Sequence, residues 1–152
     1  MKRIISLLLA VMAVLTLAAC GTEKSTTVNA AELAKALADK VAFDSELTAV
    51  SADELGYYFQ LPAKCEAAAY MSAGSTAEEI FVVECYDGTS AAELRTSMQD
   101  FLDSQKTEME RYLPAEVERI NSAIFETYGT CVVLCVTSDT DTARSVIKEY
   151  VK

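Results

Sequence analysis

None of the 152 residues is His, so thiols, carboxylates and hydroxyls are the first groups to consider for any chemistry. That absence removes Ser-His-Asp and Cys-His nucleophilic arrangements and every imidazole metal site. The thiols are Cys20, Cys65, Cys85, Cys131 and Cys135. Cys20 ends an apolar leader. The remaining cysteines are even in number, which in an exported chain suggests disulfides. Cys131 and Cys135 share one predicted strand, where four residues span about 13 Å, against the roughly 7 Å that a bridge tolerates. A framework using all of them therefore joins Cys65 to Cys131 and Cys85 to Cys135, or Cys65 to Cys135 and Cys85 to Cys131. The simpler reading of Cys131 and Cys135 is that they are small buried apolar side chains. The same separation defeats a four-thiolate zinc site, and no C-x-x-C redox pair is present.

Among the acids, Glu84 and Glu126 fall in predicted strands and are candidates for an acid/base pair. An edge or margin position for each is the plainer expectation. Asp87 (YDGTS) with Asp139 and Asp141 (SDTDT) offers oxygen ligands, but the Gly and Glu that a calcium loop places at its sixth and twelfth positions are missing in register. Helix capping explains Asp139 and Ser90 better, so neither metal nor cofactor is expected. Tyr57, Tyr58 and Phe59 are consecutive, and one helical turn cannot send all of them into one core. Part of this trio is expected at the surface as a partner-binding patch, unless it plugs an open side of the sheet.

Lys2 and Arg3 precede an apolar run from Ile4 to Ala19, which ends at Leu17-Ala18-Ala19-Cys20. The run is shorter than the ~18–20 residues that span a hydrocarbon core, and it ends in small residues, so it reads as a cleaved export signal. Leu-Ala-Ala-Cys resembles a bacterial lipobox, in which lipid is attached to the Cys thiol and the chain is cut before it. Residues 1–19 are thus expected to be a lipoprotein signal peptide. Residues 20–28 are expected to be the lipidated Cys20 and a polar tether, and residues 29–152 a single domain on the extracytoplasmic face of the cell membrane. Two acyl chains hold a protein where one gives marginal binding, at about 0.8 kcal/mol per buried methylene.

The domain itself is well supplied with apolar residues, at 51% of the chain, with only five Gly and two Pro. Thirteen Lys plus Arg against 23 Asp plus Glu give a net charge of −10. Nucleic acid is disfavoured as a partner, as are anionic polymers and headgroups, since each requires a basic surface. Asn29 caps a helix over Ala30 to Lys40, and Ser51 with Glu54 forms a capping box for a second helix ended by Pro62. Strands over Glu66 to Ser72 and Glu79 to Tyr86 make a hairpin around Ala73-Gly74-Ser75-Thr76. Ser90 and Glu93 announce a long helix that Pro114 stops. After a polar connection, Ser122 to Tyr128 and Thr130 to Thr137 flank Gly129 as a second hairpin, and Asp139 caps the closing helix.

Two leading helices followed by ββα-ββα give an α+β fold with a mainly antiparallel, four-stranded sheet and the two later helices on one face. The order admits a duplicated unit, with Val82-Val83-Glu84-Cys85 answering Val132-Val133-Leu134-Cys135. Alternation puts Phe81, Val83 and Cys85 on one side of the sheet and Ile80, Val82 and Glu84 on the other. Cys131, Val133 and Cys135 likewise oppose Val132, Leu134 and Val136. Both sides are apolar, so the second needs a cover, from the leading helices or from another molecule.

The leader, AAELAKAL, YMSAGSTAEEIFVVE, RYLPAEVERINSA and VVLCVTSD together resemble a family of small lipoproteins of Gram-positive bacteria labelled domain of unknown function 4358. Ser72 to Glu79 and Tyr112-Leu113-Pro114 carry the resemblance most specifically. It implies exterior anchoring and one small domain, and it implies no activity. The expectation is a non-enzymatic, membrane-anchored binding or assembly module with a protein partner outside the cell. The alternatives are a carboxylate-dependent enzyme acting on envelope material and a small solute-binding accessory of a transporter. The last of these lacks the two lobes that close around a ligand.

Overall fold

The computed structural model describes residues 28–151; the leader, Cys20 and the tether through residue 27 lie outside them. The elements are α1 (Ala30–Lys40), β1 (Leu47–Val50), α2 (Ala52–Leu55), β2 (Cys65–Ser72), β3 (Glu79–Cys85), α3 (Gly88–Tyr112), α4 (Pro114–Asn121), β4 (Ile124–Tyr128), β5 (Cys131–Val136) and α5 (Thr140–Tyr150). The strands form one sheet in the order β1-β2-β3-β5-β4, with every neighbouring pair antiparallel.

β3 and β5 occupy the centre, and their side chains are buried on both faces, Glu84 being the most open. On one face Ile80, Val82, Cys131, Val133 and Cys135 pack against α1 and α5 through Leu33, Leu37, Val146 and Ile147. On the other, Phe81, Val83, Cys85, Val132 and Leu134 pack against Leu55, Phe59, Leu94, Met98 and Ile120 from the α2 segment, α3 and α4. The chain thus supplies its own cover for both apolar sides. The sheet lies between two helical layers, which buries every ladder hydrogen bond of the central strands away from water.

Several expectations are corrected here. The sheet has five strands, since β1 pairs with β2 at the edge; four residues with one half-buried at each end are too short for alternation to announce them. The two later helices lie on opposite faces, α3 with α2 and α4, α5 with α1. This also removes the duplicated unit: Val82 faces α1 and α5, whereas Val132, its supposed counterpart, faces α3. The polar connection after Pro114 is the helix α4, with Pro at its first position, where a missing N–H costs nothing. Helix α3 starts at Gly88, because the Asp87 carboxylate accepts from Ser90 N at 2.7 Å and takes the capping role assigned to Ser90. The capping box of Ser51 and Glu54 forms as expected, but α2 spans only four residues before the chain turns toward β2. Asn29 and Asp139 cap α1 and α5 as read.

Phe81 of β3 anchors the layer under α3, with its ring centroid 5.3 Å from that of Phe59 and 5.9 Å from that of Phe101. Phe81→Ala should destabilise the domain by about 3–5 kcal/mol, measured as a lowered urea midpoint with an unchanged slope; a shift corresponding to less than ~1 kcal/mol would contradict this packing.

Candidate functional site

The turn between β2 and β3 is tight, with Gly74 at φ +86°, and delivers two consecutive acids, Glu78 and Glu79, into the protein, each 1% exposed. Because strand side chains alternate, the two carboxylates enter different environments. Glu78 accepts from Asp44 N and Ser45 N, both at 2.9 Å, and from the Thr76 hydroxyl at 3.0 Å. Arg119 of α4 approaches it at 3.9 Å and also pairs with Asp44 and Glu116. Glu116 in turn accepts from Ala77 N at 2.9 Å. This network fastens the α1–β1 connection, the β2–β3 turn and α4 to one another. Every Glu78 oxygen is occupied, so its role is to hold the turn.

Glu79 is different. On the α3 side, it receives only the Gln105 amide, Nε2 to Oε2 at 3.3 Å, while Glu79 Oε1 and Gln105 Oε1 have no protein partner. Burial pushes the Glu79 carboxyl up to about 8, partly opposed by the Gln105 hydrogen bond. A protonated Glu79 is therefore the form at neutral pH, and its O–H is the one donor in the pair that could serve the orphaned Gln105 oxygen.

Gln105 also lines a cavity of about 360 Å³, with Tyr57, Tyr58, Met71, Phe101 and Met109 among its walls. Its aromatic rim divides. Phe59 is 5% exposed and stacks in the core, so it is removed from the partner-binding trio; Tyr57 is 88% and Tyr58 46% exposed. Tyr58 meets Phe101 edge-on at 5.8 Å between centroids. Farther along α3, Tyr112 is 79% exposed and lines a separate depression with Ser104, Thr107, Glu108 and Arg111. The expected division of Tyr57, Tyr58 and Phe59 is thus resolved residue by residue, whereas Glu79 and Gln105 were missed. The signal was present in Ala77-Glu78-Glu79-Ile80: two acids opening a strand apolar on both sides must send one carboxylate toward each layer.

The other candidates are separated. Glu84 accepts from the Thr130 hydroxyl. Glu126 accepts from Tyr128 and Arg144, and these partners, Tyr128 first, hold its carboxyl below the usual range. With β5 between their strands and a two-residue offset in register, the two Cα atoms stand about 12 Å apart at ~4.8 Å per strand and ~3.3 Å per residue. Each acid has its own neighbours, Glu84 lining a cavity with Lys64, Glu66 and Tyr86 while Glu126 is held by Tyr128 and Arg144. Asp87 and Asp139 are consumed as caps, and no cluster suited to a metal occurs among the described residues. Among the described residues the cysteines are free thiols, with Cys131 and Cys135 on the α1/α5 side and Cys65 and Cys85 on the α3 side. The two cross-pairings expected from the sequence would have to join thiols on opposite faces of the sheet. Burial pushes the Cys135 thiol up to about 12 and raises that of Cys131 as well, which makes both inert.

The sequence model of one protein family, described as a domain of unknown function, DUF4358, matches residues 39–137. No curated protein and no solved structure matches the chain. Among the described residues no helix is long and apolar enough to cross a membrane.

Raising the pH from 4.5 toward 8 ionises Glu79 in the unfolded chain before the folded one, so the folded state binds the extra proton and stability falls across that window, by up to about 1.4 kcal/mol per pH unit. Glu79→Gln keeps the amide partner without the titration. Its melting temperature should exceed that of the parent at pH 8 by roughly 10 °C or more, with the gap closing near pH 4; a gap independent of pH would refute a buried, titrating Glu79.

Proposed function

The chain belongs to the DUF4358 family, whose label carries no activity, and we propose that it is a lipid-anchored, extracytoplasmic binding module without catalytic chemistry. The observation that carries this reading is the exposure of Tyr57 and Tyr58 on the rim of a preformed cleft. Tyrosine offers a large rigid apolar face and a hydroxyl at little entropic cost, which is why it recurs in binding hot spots.

The occupant that fits is a protein segment that is neutral or basic. Glu108 lines the cleft, Asp53 and Glu54 are exposed on α2 just before the tyrosines, and the whole chain carries −10. Acidic polymers and anionic headgroups meet like charge there. Anchoring is supported by the basic start, the apolar run and Leu17-Ala18-Ala19-Cys20, with a diacyl group on Cys20 holding the domain at the outer membrane surface. A source among Gram-positive bacteria is what the family resemblance implies.

A photoreactive side chain at position 57, introduced into the full chain in cells, should capture a protein through the cleft. Tyr58→Ala should weaken that capture by about 2 kcal/mol, roughly thirtyfold in affinity, without changing the melting temperature by more than a few degrees. Cys20→Ser should move the protein out of the membrane fraction. Capture that is equally strong after Tyr58→Ala, or membrane retention without the Cys20 thiol, would each overturn its half of the reading.

A further inference from the structure

Cys65 begins β2 and Cys85 ends β3, and the register places them directly opposite each other. Both belong to the α3 side of the sheet. In an antiparallel ladder, opposed residues alternate between exchanging backbone hydrogen bonds and not exchanging them, and the latter bring their Cα atoms closer, to about 4.5 Å. Two hydrogen bonds fix which kind this is. Ser72 N donates to Glu78 O at 3.0 Å, so the pair of Ser72 and Glu78 is hydrogen-bonded, and counting back along the ladder makes Cys65 and Cys85 a non-hydrogen-bonded pair. Independently, Cys85 N donates to Thr130 O at 3.0 Å, toward β5 and away from β2. A Cα separation near 4.5 Å on one face lies within the 4.4–6.8 Å range in which disulfides form.

Access is also provided. The two thiols line a cavity of about 360 Å³ at the end of the sheet with Lys64, Glu66, Glu84 and Tyr86, and Cys65 is half-buried while Cys85 is buried. We propose that Cys65 and Cys85 are a disulfide site, closed by exchange with a disulfide-bearing oxidant, and that Cys131 and Cys135 take no part.

The step balances as thiol–disulfide exchange. Cys65, as thiolate, attacks one sulfur of the oxidant, releasing the first thiol and leaving a mixed disulfide on Cys65. Cys85 then attacks the Cys65 sulfur and releases the second thiol. The two cysteines lose two electrons and two protons, and the oxidant's disulfide bond takes them up as two thiols. Burial pushes the Cys85 thiol up to about 11 and raises that of Cys65. Such thiols are poor leaving groups, so the bridge, once closed, is a structural clasp between β2 and β3 and not a shuttle. The inference rests on the proposed exterior location only for its occurrence in cells, where an oxidising compartment is required.

The full chain, purified with its thiols reduced and then incubated with oxidised glutathione, tests the site. Alkylation, digestion and peptide mapping should find Cys65 linked to Cys85, with Cys131 and Cys135 alkylated only after unfolding. Cys65→Ser should abolish the bridge and leave Cys85 alkylatable; Cys131→Ala should leave the bridge intact. The bridged form should melt several degrees above the reduced form, and Cys65→Ser should lose that difference. Free Cys65 and Cys85 after oxidation of the folded protein, or a bridge to Cys131 or Cys135, would overturn the assignment. The same mapping on protein trapped by alkylation in cells separates the two claims: closure in vitro with an open pair in cells upholds the disulfide site and contradicts the exterior location.

Discussion

The side chains of β3 and β5 are withdrawn from water on both sides, with partial exposure only at Glu84. An antiparallel sheet with one wetted face alternates polar with apolar residues. Here Ile80 through Val83 and Cys131 through Val136 leave no polar side to wet, and at about 25 cal/mol per Å² of apolar surface an uncovered face would be prohibitive. The remaining elements follow from that demand. α1 and α5 close one side, and α3 with α4 and Phe59 closes the other. β2 and β1 extend the sheet on one edge and β4 on the other, and these outer strands carry the half-exposed positions.

Two-sided burial also decides where chemistry can sit. A charge in a central strand has to find a partner or lose its charge, and the β2–β3 turn shows both outcomes in adjacent residues. Glu78 has backbone amides, a hydroxyl and Arg119, whereas Glu79 has a single amide and retains its proton. The thiols divide by the same alternation. Cys131 and Cys135 belong to the layer under α1 and α5, and Cys65 and Cys85 meet at the open end of the β2–β3 ladder. The large hydrophobic side chains that stay at the surface include Tyr57, Tyr58, Tyr86 and Tyr112.

The fold was legible wherever a local signal acts alone. Asn29, Ser51 and Asp139 cap the helices assigned to them, and the four longer strands begin and end within two residues of their expected limits. Within each strand, period-two alternation separates Phe81 and Val83 from Ile80 and Val82, and Val132 and Leu134 from Cys131 and Val133, and both separations hold, whereas which sets share a face comes from the register. Long-range choices were not legible. Periodicity states that a helix has an apolar stripe but not which side of the sheet receives it, so α3 and α5 were placed together. The cysteine pairing depends on the same long-range information. Requiring all the thiols to bridge at once discarded the Cys65–Cys85 juxtaposition, which only the register reveals. The aromatic trio was legible as a conflict, and its resolution into buried Phe59 and exposed Tyr57 needed the α2–β2 geometry.

Amide hydrogen exchange, read strand by strand, tests the two-sided burial of the sheet most directly. With helices sealing both faces, the amides of β3 and β5 should exchange only through global unfolding, slower by orders of magnitude than those of β1 and of the Tyr57–Gln60 turn. If β3 and β5 amides exchange as fast as those of β1, one face of the sheet is open to water, and the arrangement of helices described for this chain is wrong.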